Sequence, residues 1–572
     1  MTPTKSGKVT SIKFEKVKRA QIDESRVAHK AGGQHTGLVI NKQTAGDTKD
    51  YGRPDIQLEF KCFLVDNKTG HHIPESRILK FWFVPNTDYL DKVTGAYEFF
   101  KELVKPDNFP RDYVGFIKKV MKQMQQPKYS MMKKIDVDLS PLEPTEAGPP
   151  MSPGGNFRTA SGLKKEDTRP KNVIVQERLL LTLESAYPNV MPVDYLTDLT
   201  AAEQTMVQEQ LQVLKGRDLI REMEPGKWVR NVKDDKTEVK VVKQMPIQTS
   251  GSRPTVAIIT SKYYEKLAVD AMMTEKTTFV KYKTEGESNV YTIGYIGKHK
   301  VVSTKLPAIG TQMREQIAAG STTTRLLGTF SDVEHVFLVG VGGGVPHYTD
   351  FYKDVHLGDV IVSSPNDKGY LYVYCDSVEH DHERGTLQYK LKSWAPHDMI
   401  IQTIVDKLWE QHKDNVQFAP WEDYIADGQQ QLQGQEVDFV RPPSDTDKLY
   451  MNIGGNDVIE VGHPRAPEEI SWYREGTPVV RRGAIASGKP IVRDDHLRGE
   501  FATQHGCIMY DTEFDQVLES IVGNRKESFA FIRGVVDYLD GTKNKEWQPY
   551  SSLVAAAFMK AVIENLPAPD NA

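Results

Sequence analysis

The chain has 572 residues, enough for about three or four domains with hydrophobic cores of their own. Its 73 basic and 78 acidic residues give a net charge of −5, which offers no overall electrostatic basis for binding nucleic acid. The three cysteines, Cys62, Cys375 and Cys507, are far apart, form no metal-ligand or disulfide pattern, and favour a reducing compartment. The N-terminus lacks the apolar core of a signal peptide, and no run approaches the roughly 20 apolar residues of a membrane span. We therefore expect a soluble, cytoplasmic protein.

The first 135 residues carry β-rich runs separated by polar turns, followed by two helical patterns. They predict a β-rich or α+β module of unknown role. The pair His71 and His72 has no third ligand at metal spacing, so we interpret it as a solvated turn. Residues 136–172 are rich in Pro, Gly and charge and poor in large apolar side chains, which predicts a flexible linker.

Residues 173–232 show helical patterns and then a short hairpin, an order that resembles a winged-helix domain. The candidate recognition segment, 202–218, has three glutamine or glutamate residues for each basic one. A surface that follows phosphates should be basic, so we expect this domain to contact a protein partner and not DNA.

Residues 252–567 alternate strands and helices in the order of an α/β sheet, with a polar insertion at 414–480. One apolar strand runs directly into VGVGGG, where Gly340, Gly342 and Gly343 let backbone amides approach a ligand closely. The spacing does not match a dinucleotide fingerprint, because Pro346 and a polar loop follow.

Carboxylates follow several of these strands. Glu513 ends CIMYDTE, Asp537 ends FAFIRGVVD, and Glu265 lies one turn into the helix after TVAIITS. Carboxylates that converge at one edge of a sheet can hold a hydroxylated substrate and transfer a proton. Surface ion pairing is the alternative for each of them, and helix capping is a further one for Asp537.

Five ordered motifs resemble the nucleoside phosphorylase and nucleosidase superfamily, and within it the eukaryotic members fused to other domains in large immune-type proteins. The motifs are FLVGVGGGVP, HLGDVIVSSP, GAIASGKPIVRDDHLRGEFATQHG, YDTE and RGVVDYLDGTKNKEWQPYSSLVAAAFMKA. The resemblance covers 252–567 and does not reach the first 250 residues. It implies a three-layer α/β domain with a mixed central sheet and cleavage of the bond between a purine and ribose.

The resemblance also implies residue roles. Asp537 matches the acid that meets the purine, Glu513 the carboxylate that grips the ribose hydroxyls, and Glu265 the residue that positions the attacking water. Gly342 and Gly343 would line the base and ribose pocket, and Ile491 would lie near the base. The further substrate-binding positions that we predict are Thr512, Arg533, Lys543 and Lys545.

The sequence departs from the family pattern at two places. The ribose strand reads Asp511, Thr512, Glu513 where the family has Glu-Met-Glu, and Val536 replaces a small polar residue before Asp537. These departures keep open a catalytically degenerate protein that binds a nucleotide in a regulatory or scaffold role.

The first turn, TSKYYE, contains no glycine, and Leu338 and Val339, not arginine, precede the glycines. Both features favour hydrolysis over phosphorolysis, which needs a cradle for a phosphate dianion. Because some multidomain relatives act on adenine nucleotides such as ATP, Lys305 and the pair Arg481 and Arg482 are further candidates for phosphate contacts. We expect a purine nucleosidase without metal or other cofactor, regulated by its N-terminal modules, with a role in innate immunity, and forming a homo-oligomer.

Overall fold

A computed structural model describes most of the chain. The described residues are 1–6, 8–30, 37–42, 44–45, 52–65, 72–106, 108–110, 113–142, 169–231, 238–246, 253–282, 288–307, 312–381, 386–453, 458–493, 495–512, 514–538 and 545–569. No helix in these ranges is both long enough and apolar enough to cross a bilayer.

The N-terminal part is a sheet covered by two helices, as the β-rich and helical patterns predict. Its elements are β1 (Thr2–Ser6), β2 (Val9–Glu15), β3 (Val27–Lys30), β4 (Val39–Asn41), β5 (Thr44–Ala45), β6 (Ile56–Val65), β7 (His72–Phe83), α1 (Tyr89–Leu103), α2 (Tyr113–Met124) and β8 (Met132–Pro141). Ile12 and Phe14 alternate along β2 and are buried, so one face of the sheet forms the core. β8 extends into the segment predicted as a linker, whose residues 143–168 lie outside the described ranges. His72 begins β7, and His71 is not among the described residues.

A small helical unit follows. It contains α3 (Lys171–Ala186), β9 (Met191–Pro192), α4 (Val193–Thr200), α5 (Gln204–Gly216), β10 (Ile220–Glu224) and β11 (Lys227–Arg230). Its three short strands pair in the order β10-β11-β9, and Leu179, Leu183 and Leu211 form its core with other apolar side chains. The helices and the hairpin agree with the predicted order of elements, and the winged-helix assignment stays a prediction.

The rest of the chain forms a large mixed sheet with helices. Its elements are β12 (Glu238–Val241), β13 (Val256–Thr260), α6 (Tyr263–Ala271), β14 (Thr274–Lys281), β15 (Asn289–Ile296), β16 (His299–Lys305), α7 (Gln312–Thr329), β17 (His335–Gly344), β18 (Val360–Ser363), β19 (Tyr372–Asp381), β20 (Thr386–Trp394), α8 (Ile400–Asp414), α9 (Pro420–Gln431), β21 (Leu449–Asn452), β22 (Val458–Val461), β23 (Val480–Ser487), α10 (Lys489–Arg493), α11 (Asp495–His505), β24 (Cys507–Tyr510), α12 (Asp515–Gly523), β25 (Ser528–Asp537) and α13 (Trp547–Glu564). The buried helix α13 packs on β25 and β17.

Strand pairing closes part of this sheet into a ring. The order β13-β17-β25-β18-β23 runs across its centre, and β24 pairs with both β17 and β23. The strands β17, β25, β18, β23 and β24 therefore form a closed five-stranded ring. The ring leaves no open edge between these strands and brings the end of β25 close to the end of β17.

The segment predicted as a polar insertion at 414–480 is structured. It holds α9, β21 and β22, and β22 pairs with β6, so these two strands extend the N-terminal sheet. Ile459, opposite Cys62, is fully buried there. Similarly, β12 precedes the predicted boundary at residue 252 but pairs with β14 in the large sheet. The N-terminal sheet therefore includes two strands from within residues 252–567, and the large sheet includes one strand from before residue 252.

Candidate active site

The glycine strand β17 lies beside β25 in parallel register. Gly340 is opposite Arg533, Gly342 is opposite Val535, and Gly343 is opposite Asp537. Gly343 also pairs with Tyr510, the last residue of β24. The sheet thus brings the predicted glycines, the end of β25 and the end of β24 to one place.

Glu265 lies at the start of α6, where its carboxylate caps the helix. Its Oε2 atom accepts hydrogen bonds from the backbone amides of Ser261 and Lys262, both at 2.8 Å. Its Oε1 atom accepts one from the Val341 amide at 3.0 Å. The side chain is buried. The predicted residue is therefore held against the glycine strand by bonds that satisfy free amides at the helix N-terminus.

Gly340 permits this approach. A Cβ atom at position 340 would lie 2.4 Å from Glu265 Oε1 and 2.5 Å from Arg533 Nη1. Any side chain there would overlap both groups, so glycine is required by the close packing of a carboxylate and a guanidinium on this strand.

Arg533 forms a buried ion pair with Asp511. The distance from Arg533 Nε to Asp511 Oδ2 is 2.7 Å, and the two side chains are 0% and 1% exposed. Burial raises the pKa of Asp511 above its ordinary value, and the guanidinium opposes that shift. Neither Nη1 nor Nη2 of Arg533 has a hydrogen-bond partner within the described ranges. A buried donor without a partner costs about 1–3 kcal/mol, and such groups are found where a ligand completes the bonding.

Asp537 follows a β-bulge. The register between β17 and β25 shifts so that Val536 is the extra residue, and Asp537 is opposite Gly343. A bulge changes the direction of the side chains that follow it, and bulges are frequent beside active sites. Val536, the predicted departure, is buried at this bulge, and the Asp537 side chain is half-buried.

The other predicted residues occupy varied places. Ile491 in α10 is fully buried in an apolar cluster with Phe501 and Tyr510. Thr512 is exposed, and its carbonyl accepts a hydrogen bond from Tyr372 Oη at 2.9 Å. Lys545 is exposed and pairs with Glu177 of α3 at 2.9 Å. Glu513 and Lys543 lie outside the described residues.

The further candidate cations are engaged elsewhere. Lys305 is buried, and its Nζ donates to the carbonyls of Ser185 at 2.8 Å and Tyr187 at 3.2 Å, at the C-terminal end of α3. Burial lowers the pKa of Lys305 to about 7. Arg481 donates from Nη1 to the Tyr352 carbonyl at 3.0 Å, and its Nε and Nη2 atoms have no hydrogen-bond partner among the described residues. Arg482 pairs with Asp406 on the surface. These bonds position Lys305 and Arg482 within the fold and not toward a ligand.

A cluster of histidines and aspartates, absent from the sequence predictions, lies directly after Asp537. Asp354, His356, Asp447 and His463 meet there, and Tyr538 Oη donates to Asp447 Oδ1 at 2.6 Å. The two carboxylates raise the pKa of His463 to about 10, despite its burial. The members come from distant segments, so no local spacing could have revealed them. The motif HLGD, which contains His356, was the one available signal.

No protein-family model matches the chain. A nucleotide-binding leucine-rich repeat (NLR)-like protein of Hyaloscypha variabilis is 27% identical over 280 residues, which is 48% of this chain and 26% of the relative. The match therefore spans about a quarter of that relative's length.

The similar solved structures include a nucleosidase and a hydrolase. A 5'-methylthioadenosine/S-adenosylhomocysteine nucleosidase of Neisseria meningitidis, in complex with methylthio-immucillin-A, is 15% identical with a TM-score of 0.33, covering 55% of this chain and 100% of its own. The futalosine hydrolase of Helicobacter pylori is 16% identical with a TM-score of 0.32, covering 54% of this chain and 97% of its own. Likenesses of this size do not establish an activity.

Proposed function

We propose that the chain hydrolyses the N-glycosidic bond of a purine nucleoside or nucleotide and releases the free base. The observation that carries the proposal is the convergence of Glu265, Asp511 and Arg533 against the glycine strand, with Asp537 at the end of the same strand as Arg533. Such a site offers carboxylates for proton transfer, buried hydrogen-bond donors, and a glycine backbone that a ligand can approach closely. Cleavage of this bond requires groups of these kinds.

Asp537 is the proposed acid. Departure of a purine leaves electrons on the base and positive charge on the ribose, so a carboxylic acid that protonates the base lowers the barrier. The bulge at Val536 supports this role because a bulge changes the direction of the Asp537 side chain from the one that regular strand alternation would give it. Glu513 remains the proposed ribose ligand.

Glu265 is the proposed water-positioning group. Among the described residues, its Oε1 atom accepts one hydrogen bond, from the Val341 amide, so it retains capacity to accept another from a water molecule. The unbonded Nη atoms of Arg533 nearby supply donors for the same water or for a ribose oxygen.

Hydrolysis is favoured over phosphorolysis by the start of α6. A helix N-terminus is a common binding site for phosphate, yet here the amides of Ser261 and Lys262 already bind the carboxylate of Glu265. A phosphate would have to displace a buried negative charge.

A nucleoside is favoured over a triphosphate. Lys305, Lys545 and Arg482 are bonded within the fold, so these three cations offer little to bind a triphosphate. Arg481, Arg533 and Lys543 are the remaining candidates for phosphate contacts, and Arg533 is the donor proposed above for the water or a ribose oxygen.

The test is release of free base from adenosine, inosine, methylthioadenosine, AMP and ATP, measured by chromatography with and without phosphate. We expect release without phosphate and a loss of about 10²–10⁴-fold in Asp537→Asn. Asp376→Asn, which changes an exposed aspartate paired with Lys390, is the matched control and should keep full activity. No release from any substrate would refute the proposal, and release only with phosphate would replace hydrolysis by phosphorolysis.

The second candidate function is binding of a nucleotide without turnover, in a regulatory or scaffold role. Val536 favours it, because a buried apolar side chain cannot hydrogen-bond to the neighbouring acid. Thermal stabilisation by adenosine or AMP without base release would support this alternative, whereas loss of measurable base release in Asp537→Asn would exclude it.

A further inference from the structure

The histidine and aspartate cluster joins three separate parts of the chain. Asp354 and His356 lie in the loop between β17 and β18, and His463 follows β22. Asp447 precedes β21, and Tyr538 follows β25 directly. None of these residues takes part in the proposed cleavage reaction.

Asp354, His356 and His463 each offer one donor atom, and the three atoms lie within 4.8 Å of one another. Asp354 Oδ2 lies 2.8 Å from His463 Nδ1 and 3.5 Å from His356 Nε2. The two imidazole rings stack with centroids 4.0 Å apart. In a tetrahedral site with metal–ligand bonds of about 2.0–2.2 Å, neighbouring donor atoms are roughly 3.3–3.5 Å apart. The separation between Asp354 and His356 matches that geometry, whereas the 2.8 Å contact between Asp354 and His463 is a hydrogen bond that an ion would replace, with the two atoms moving about 0.5 Å apart.

The remaining atoms of these ligands have the partners that metal ligands usually have. His356 Nδ1 lies 3.0 Å from Asp447 Oδ2, and His463 Nε2 lies 3.3 Å from Tyr538 Oη. Asp354 Oδ1 accepts a hydrogen bond from the His347 amide at 3.0 Å. In metal sites, a ligating histidine typically bonds a carboxylate or another oxygen through its second nitrogen, which fixes the ring.

Burial and access also fit a bound ion. Asp354 is fully buried, and its Oδ2 atom faces imidazoles with no lysine or arginine paired to it in the described ranges. Without an ion, the pairing with His463 compensates the buried charge of Asp354, and a bound cation would compensate it instead. A cavity of about 200 Å³, lined by His356, Asp447 and His463 among others, provides a route from solvent.

We propose that Asp354, His356 and His463 bind one divalent transition-metal ion, with Asp447 and Tyr538 as the outer partners of the two histidines. The donor set of two imidazole nitrogens and one carboxylate oxygen suits Zn²⁺ and does not suit Mg²⁺ or Ca²⁺, which prefer oxygen ligands. The ion would connect the loop before β18 with the segment that adds β21 and β22 to the N-terminal sheet. It would also hold Tyr538, the neighbour of Asp537, in place.

The test uses the full chain stripped with a chelator, then titrated with Zn²⁺ or Mg²⁺ by calorimetry. We expect one Zn²⁺ per chain and no saturable Mg²⁺ binding. Loaded with Co²⁺, the chain should show the intense visible absorption of a four-coordinate site. Absence of saturable Zn²⁺ binding, or of that absorption, would overturn the proposal in favour of an ion-pair network held by protons.

Variants assign the ligands. His356→Gln and His463→Gln should weaken Zn²⁺ binding more than 100-fold, and Asp447→Asn should weaken it about 10–100-fold as an outer partner. His397→Gln, which changes an exposed histidine, is the matched control and should bind as the parent does. Parent-like Zn²⁺ affinity in both histidine variants would overturn the assignment. Circular dichroism checks folding; if His463→Gln does not fold, the less buried His356→Gln and the Co²⁺ spectrum of the parent decide.

Discussion

Gly340 lies where the Glu265 carboxylate and the Arg533 guanidinium come closest to the backbone of β17. A methyl group at position 340 would be 2.4 Å from Glu265 Oε1 and 2.5 Å from Arg533 Nη1. Both neighbours are anchored, Glu265 by backbone amides and Arg533 by Asp511. Neither can move aside without breaking a buried hydrogen bond, so Gly340→Ala must displace at least one of them.

The expected cost follows from these contacts. Overpacking a filled interior by a methyl group costs about 1–3 kcal/mol, and breaking a buried hydrogen bond adds about 1–3 kcal/mol. We therefore expect Gly340→Ala to lower the free energy of unfolding, measured in urea, by about 2–6 kcal/mol. Base release should fall further than the loss of folded protein explains, because either Glu265, the proposed water-positioning group, or Arg533, the proposed donor, is displaced.

The matched control is Gly328→Ala in α7. A Cβ atom there meets nothing within 4 Å, and alanine is favoured over glycine in a helix by about 1 kcal/mol. This variant should be as stable as the parent or more so, with unchanged activity. A Gly340→Ala protein as stable as the Gly328→Ala protein would refute the packing of Glu265 and Arg533 described above.

Three further predictions concern stability. Asp511→Asn leaves Arg533 buried without a charged partner and should lower the free energy of unfolding in urea by about 3–5 kcal/mol. The control, Asp376→Asn on the surface, should lower it by less than about 1 kcal/mol. Equal losses in the two variants would contradict the burial of the pair. Lys305 has a folded-state pKa of about 7 against an ordinary value of 10.5. Between pH 7 and 10.5 the unfolded chain therefore binds a proton at this lysine that the folded chain does not. The free energy of unfolding should rise with pH in that range, by up to about 1.4 kcal/mol per pH unit. In Lys305→Met this rise, measured by urea unfolding from pH 7 to 10, should be smaller; an identical slope would show that Lys305 does not titrate there. Ile459→Ala should cost about 2–5 kcal/mol and increase proteolysis of β6 in the N-terminal sheet, because Ile459 is buried against that strand; unchanged cleavage would contradict the shared sheet.

Much of the local structure could be predicted because it depends on local pattern. The two helical patterns predicted in the first 135 residues are α1 and α2, and those predicted in residues 173–232 are α3, α4 and α5. The apolar run that ends in Asp537 is β25. The burial of a strand or of a helix face depends on the spacing of apolar residues within a short segment, so periodicity was sufficient to predict these elements.

The boundaries between modules could not be predicted in the same way. The segment at 414–480 is polar in composition, yet β22 pairs with β6 and completes a sheet that begins at the other end of the chain. Pairing between strands so distant in sequence depends on which edge is left open after the rest has folded. No composition window contains that information.

The sequence alone was enough to predict many elements of this protein and the chemical groups at their ends: a glycine strand, a carboxylate at the end of β25 and a glutamate at the start of α6. Only the tertiary structure decided which of these groups meet. The closed ring of strands placed Arg533 on Asp511, Gly340 allowed Glu265 to reach the strand, and the folding of the insertion brought His463 onto Asp354 and His356. Each of these contacts joins residues that no periodic pattern in the sequence relates to one another. Long-range strand register and side-chain packing therefore determine them.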